Sequence, residues 1–174
     1  RHESAFTFPS TVLFEGTNLS EGRGTTQPLE IVGHPKMEPF SFYANHLNAQ
    51  ALENKLQGFT FRPIVYIPTF HKYTDVACGG FQIHVTDKKI FKPWRVGQFL
   101  LRELYHHLGE DFEWLKPPYE YNYEKEPIDI INGTDKLRNW VEKQGSMEML
   151  DSFEDLAAYR QQLNTVKLYG GHTI

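Results

Sequence analysis

The alternation of apolar and polar residues predicts short strands and amphipathic helices in mixed order along the chain. Strands are expected in four places, at residues 11–14, 29–32, 59–66 and 81–86. Helices are expected in four places, at residues 46–56, 93–108, 134–143 and 152–167. Ser152, with Asp155 three residues later, is the expected cap of the last helix. This order predicts an α+β fold, a small mixed β-sheet covered by helices. We expect residues 1–174 to form a single domain with a helical C-terminal segment over about 134–168.

A polar turn follows the first predicted strand and interrupts the apolar pattern. We call residues 14–26 the polar turn; after Phe14 its sequence reads EGTNLSEGRGTT. Its glycines allow positive φ and a close approach of the backbone to a ligand. The side chains of Glu15, Asn18, Arg23 and Thr25 supply donors and acceptors. We therefore expect this turn to face solvent and to bind a polar ligand.

A second polar group is expected on the strand over 81–86. Period-2 alternation places Phe81, Ile83 and Val85 on one face of this strand. Gln82 and His84 lie on the other face, about 6.6 Å apart along the strand. We expect the side chains of both segments to meet in one surface patch.

Composition excludes several classes of function. The formal net charge is −4 and no run of Lys or Arg is present, which disfavours nucleic-acid binding. The sequence has no membrane-spanning apolar stretch and no export signal of its own. Cys78 is the sole cysteine and is expected to be buried, so no internal disulfide can form. The histidine spacing does not predict a metal site.

Several motifs together resemble the exo-β-N-acetylmuramidase family. They are the polar turn, the segment CGGFQIHVTD at 78–87, the tripeptide FRP at 61–63 and the segment PTFHKY at 68–73. The resemblance runs from about Pro9 to Gly133. It implies that this chain is the C-terminal domain of a longer protein, whose Rossmann-like N-terminal domain is absent here.

The resemblance also implies a function, the hydrolysis of the β-1,4 bond of a non-reducing terminal N-acetylmuramic acid in peptidoglycan. The domain would form one wall of the cleft, with muropeptides as ligands, no cofactor, and a secreted or periplasmic location. Arg23 would bind the lactyl carboxylate through two parallel hydrogen bonds. Glu15 would assist catalysis, while the principal catalytic carboxylate would lie in the absent domain, leaving the isolated domain inactive. The further substrate-binding candidates are Asn18, Thr25, Gln82 and His84.

Three alternatives remain open at this stage. Arg23 could brace the turn through Glu15 or Glu21, because arginine commonly pairs with carboxylates. His84 could be a histidine satisfied by neighbouring protein groups. The whole domain could be a non-catalytic cell-wall carbohydrate-binding module, or a structural or dimerising domain.

Overall fold

The computed structural model describes residues 2–153 and 156–166. The α-helices are α1 (Ser4–Thr11), α2 (Pro39–Phe42), α3 (Asn48–Glu53), α4 (Pro93–Leu108), α5 (Pro127–Asn132), α6 (Lys136–Glu142) and α7 (Leu156–Val166). The strands are β1 (Ile31–His34), β2 (Phe59–Tyr66) and β3 (Cys78–Val85). The chain divides into two compact units, Arg1–Gln144 and Gly145–Ile174. The first unit holds the sheet and helices α1 to α6, and the second holds α7.

The sheet has three strands in the order β1-β3-β2, and both pairings are antiparallel. The predicted α+β class is confirmed, although the strands of the described residues pair without the parallel component of a mixed sheet. The register sets Arg62 of β2 opposite Gln82 of β3, and Thr60 opposite His84. Arg62, Gln82 and His84 therefore share one face of the sheet.

Aromatic side chains join the other face of the sheet to the helices. Phe81 of β3 is fully buried and lies 6.1 Å from both Phe61 and Phe42, measured between ring centroids. Phe61 in turn stacks on Phe99 of α4 at 6.4 Å. The predicted helix over 93–108 and the predicted strand over 59–66 are confirmed at both ends.

The predicted strand over 11–14 is wrong. The segment contains the end of α1 and a 3-10 helix over Val12–Gly16. Short apolar runs do not distinguish a strand from a buried helical turn, and Leu13 and Phe14 are fully buried. The hydroxyl of Thr11 donates to the carbonyl of Leu29 at 2.8 Å, which fixes this helical end beside β1.

Several helix boundaries also differ from the sequence prediction. The helix expected over 46–56 begins earlier, at Pro39, because Glu38 caps it by accepting from two backbone amides. It passes through a π-helical turn over Tyr43–Leu47 and ends at Glu53. Helix α5 was not predicted, and α6 matches the helix expected over 134–143.

The predicted start of the last helix is wrong. Ser152 lies in a 3-10 segment over Met147–Phe153, and α7 begins only at Leu156. The Ser152 hydroxyl donates to the carbonyl of Met149 at 2.7 Å instead of capping α7. Asp155 and Lys167, part of the same prediction, lie outside the described residues.

Gly97 allows α1 and α4 to approach closely, and this gives a test of the fold. A Cβ added at Gly97 would lie 2.4 Å from the carbonyl oxygen of Ser10. Helix propensity alone favours alanine over glycine by about 0.5–1 kcal/mol. We expect Gly97→Ala to destabilise the domain by about 1–3 kcal/mol, because the backbone of α1 must move. Urea unfolding measures the change; a more stable variant would contradict this contact. Leu52→Ala, on the exposed surface of α3, is the control.

Candidate functional site

The ammonium of Lys72 ties the polar turn to the loop that follows β2. Its Nζ donates to the carbonyl oxygens of Phe14 and Leu19, at 3.0 and 2.9 Å. It also donates to Oε2 of Glu21 at 3.0 Å. A lysine ammonium has three donors, so all of them are used within the fold. Lys72 is therefore a structural clamp and not a free cation for a ligand.

The polar turn is largely buried, so the expectation that it faces solvent is wrong. Glu21 is fully buried and Ser20 is 2% exposed. Gly22 and Gly24 have φ of 79° and 82°, as the glycine pattern predicted. A Cβ at Gly24 would lie 2.5 Å from the carbonyl oxygen of Phe70. The close approach that Gly24 permits is thus to the protein's own loop.

Around this clamp the structure assembles ionisable groups that we call the acid–base cluster. Its members are Glu15, Glu21, Arg23, His71, Lys72 and Tyr119. Nη2 of Arg23 donates to Oε1 of Glu15, and the hydroxyl of Tyr119 donates to Oε2 at 3.1 Å. Both oxygens of Glu15 are therefore acceptors, and its side chain is held from two sides.

Glu21 is the buried centre of the cluster. Its Oε1 lies 3.0 Å from Nε of Arg23 and 3.3 Å from Nδ1 of His71. Neither contact is an aligned hydrogen bond, so this buried oxygen has no hydrogen-bond partner among the described residues. His71 has a φ of 71°, a left-handed conformation that is uncommon for a histidine. The strained loop backbone thus holds an imidazole over a buried carboxylate.

Burial and charge shift the pKa values of three groups in the cluster. Burial, reinforced by the charge of Glu15, raises the pKa of Tyr119 to about 12, so its hydroxyl remains a donor near neutral pH. Burial lowers the pKa of Lys72, and Glu21 opposes that shift. The hydrogen bond to Glu15 raises the pKa of Arg23.

The cluster opens into a cavity of about 650 Å³, which we call the first cavity. It is lined by Glu15, Arg23, His71, Lys72, Leu115 and Tyr119. Its volume falls within the range of small-molecule sites. Glu15 and Arg23, predicted together from the polar turn, do meet here.

Asn18 and Thr25 serve the backbone of the turn. The Asn18 amide donates to the carbonyl of Asp111 at 2.9 Å and accepts from the Glu113 amide at 3.0 Å. The Thr25 hydroxyl donates to the carbonyl of Gly22 at 2.7 Å and accepts from the Gln27 amide at 3.0 Å. These contacts support the turn without involving a ligand, and the predicted substrate contacts of Asn18 and Thr25 remain untested.

Gln82 and His84 line a different cavity, of about 420 Å³, which we call the second cavity. The lining residues of the two cavities do not overlap. The expectation that all the polar candidates meet in one patch is therefore wrong. The error lies in joining two segments by chemical likeness, because β3 presents its polar face toward α1 and the polar turn directs Glu15 elsewhere.

The sole cysteine does not offer a reactive site. Cys78 is fully buried, as expected, and burial raises its thiol pKa to about 11, which disfavours the reactive thiolate. In the described part of the chain, no group of three or more His, Cys, Asp or Glu could hold a metal ion. No helix over the same residues is long and apolar enough to cross a membrane.

Comparison with known proteins identifies the family. The model of the family described as exo-beta-N-acetylmuramidase NamZ, C-terminal, matches residues 6–169. The chain belongs to this family. It is 34% identical over 153 residues to the peptidoglycan beta-N-acetylmuramidase NamZ of Bacillus subtilis (strain 168), covering 87% of this chain and 34% of that protein.

Two solved structures share the fold of this NamZ C-terminal domain. Both are DUF1343 family proteins from Bacteroides fragilis. One has a TM-score of 0.76 at 18% identity and covers 97% of this chain and 42% of its own. The other has a TM-score of 0.65 at 22% identity, with coverages of 99% and 42%. The chain thus spans about a third of the curated relative's length and less than half of each solved chain.

Sequence reasoning undervalued four members of the cluster: Glu21, His71, Lys72 and Tyr119. Lys72 and His71 lie in the PTFHKY segment that carries part of the family resemblance, so a signal was present. Tyr119 follows a Pro-Pro pair in an irregular loop, and no local pattern connects it with Glu15, 104 residues away. Only the folded chain brings these two together.

The clamp can be tested by removing its charge. We expect Lys72→Met to destabilise the domain by about 3–5 kcal/mol, because Glu21 is left buried without its lysine partner. Lys116→Met is the matched control: its Nζ also lies 3.0 Å from a glutamate, but its side chain is 76% exposed. The control should lose at most about 1 kcal/mol. Equal losses in urea unfolding would refute the structural role of Lys72.

Proposed function

We propose that this domain belongs to a peptidoglycan-degrading exo-β-N-acetylmuramidase and forms one wall of its substrate cleft. Family membership is the observation that carries the proposal. The relative from Bacillus subtilis is a peptidoglycan beta-N-acetylmuramidase, and 87% of this chain aligns with it. The longer protein would be secreted or periplasmic, because peptidoglycan lies outside the cytoplasmic membrane.

The first cavity supplies chemistry that suits a cleft wall. Glu15 is 19% exposed and lines the cavity between Arg23 and Tyr119. Glycoside hydrolysis generally requires two carboxyl groups on opposite sides of the scissile bond. In this proposal Glu15 orients the sugar or assists proton transfer, and a carboxyl group of the remaining part of the protein provides the principal acid.

Arg23 can bind the lactyl carboxylate only by exchanging partners. Its guanidinium already contacts Glu15 and Glu21, the bracing arrangement considered from the sequence. An incoming carboxylate would therefore compete with a carboxylate of the protein. Binding of a substrate carboxylate by Arg23 therefore requires displacement of Glu15.

A non-catalytic carbohydrate-binding module is the second candidate function. The existence of the second cavity, lined by Gln82 and His84 away from the acid–base cluster, favours it. A binding module would retain affinity for muropeptides in this chain alone, and its cluster carboxylates would be dispensable for turnover.

The two candidates are separated by assaying the longer protein and this 174-residue chain on a chromogenic β-N-acetylmuramide. We expect turnover by the longer protein and none by the chain alone, because half of the cleft and the principal acid are missing. A chain that hydrolyses the substrate at the rate of the longer protein would exclude a shared cleft. A longer protein that binds muropeptides without hydrolysing them would favour the binding module.

The contribution of Glu15 is tested in the longer protein with Glu15→Gln. We expect kcat to fall on the order of a hundredfold, at the low end of general acid–base contributions, while the protein stays folded. The matched control is Glu110→Gln, an exposed glutamate outside the first cavity. An unchanged kcat in Glu15→Gln would remove Glu15 from the reaction.

A further inference from the structure

The second cavity has a basic wall and an acidic wall. Arg62 and His84 project from β2 and β3, and Lys88 follows β3. Glu3 and Glu30, which form the acidic wall, line the same cavity and come from the segments that precede α1 and β1. A cavity lined by guanidinium and amide donors fits a ligand that carries an anion together with polar groups.

The acidic wall is anchored inside the fold. Glu30 is 2% exposed, and its Oε1 accepts a hydrogen bond from the Ser4 hydroxyl at 2.8 Å. Its Oε2 lies 3.5 Å from Nε2 of Gln82, which is 8% exposed. These contacts fix the Gln82 side chain where it lines the cavity.

The cationic side chains of the two cavities differ in their carboxylate partners. The Arg62 guanidinium makes no hydrogen bond or ion pair with a residue in the described part of the chain, whereas the Arg23 guanidinium contacts two glutamates. The ammonium of Lys88 lies over the ring of Phe6, 4.2 Å from its centroid, and has no carboxylate partner among those residues. The available guanidinium is therefore in the second cavity.

The register of the sheet places this guanidinium beside two other polar side chains. Arg62 lies directly opposite Gln82, and such pairs have Cβ atoms about 4.5–5.5 Å apart. His84 occupies the next position on the same face of β3. The three side chains thus start from a rigid antiparallel pair and border one cavity of about 420 Å³.

We propose that the second cavity is a binding site for a carboxylate-bearing amino sugar, with Arg62 pairing with the carboxylate. The inference rests on the proposed function, which supplies N-acetylmuramic acid as the sugar. The lactyl carboxylate accepts two parallel hydrogen bonds from Arg62, the geometry that a planar guanidinium favours. Gln82, opposite Arg62 on the same face, binds the acetamido group. No carboxylate of the protein has to be displaced from Arg62.

The proposal is tested by titrating the isotope-labelled 174-residue chain with N-acetylmuramic acid and following its NMR signals. We expect the side-chain signals of Gln82 and His84 to shift. N-acetylglucosamine and the uncharged carboxamide of N-acetylmuramic acid should bind at least about tenfold more weakly, because each lacks the charged partner of Arg62.

Three variants locate the preference. Arg62→Ala should weaken N-acetylmuramic acid binding about tenfold to a hundredfold and make its affinity equal to that of N-acetylglucosamine. Arg62→Lys should recover only part of the preference, because a point charge does not form the paired hydrogen bonds. Lys89→Ala removes a charge from the same loop without changing the cavity lining and should retain the full preference.

The outcomes distinguish this proposal from the proposed function. A wild-type chain that does not bind N-acetylmuramic acid, or an Arg62→Ala chain that keeps the preference, overturns the second-cavity site. Shifts confined to Tyr119 and Leu115 overturn it in favour of the first cavity. Hydrolysis of a muramide by the longer protein is a separate measurement. The proposed function can therefore be supported or refuted without changing the result for Arg62.

Discussion

The buried ammonium of Lys72 is the contact on which the polar turn depends. It satisfies two backbone carbonyls and one buried carboxylate across more than fifty residues of sequence. Burial lowers the pKa of Lys72, and the charge of Glu21 opposes that shift. The three contacts of the ammonium hold the turn in one conformation. Placement of Glu15 and Arg23 at the first cavity follows from that conformation.

The two cavities differ in electrostatic character. At the first cavity Glu15 contacts Arg23, and in the same cluster the buried Glu21 contacts Lys72. Its charges are preorganised, which suits groups that must hold a fixed position during a reaction. The second cavity instead presents the Arg62 guanidinium from the sheet, with no carboxylate of the described residues bound to it. This arrangement suits the recognition of an anion.

Strong local patterns were sufficient to predict part of this fold. The helix over 93–108 and the strand over 59–66 follow from clear periodicity, and Gly22 and Gly24 have the predicted positive φ. The 3-10 segment at Val12–Gly16 could not be predicted from periodicity, because a short buried apolar run has no distinctive period. Pairings such as Tyr119 with Glu15 depend on tertiary contacts between distant segments, which no local pattern contains.

The ion pairs of Arg23 show what local composition does not reveal about a site. The polar turn combines an arginine with several carboxylates, and two of those carboxylates contact the arginine in the folded domain. Arg62 occurs in an ordinary edge strand with no polar run around it. Its chemical availability follows from the antiparallel register, which aligns it with Gln82 and away from any described carboxylate partner. A residue's use in recognition thus depends on which of its donors the fold leaves unpaired.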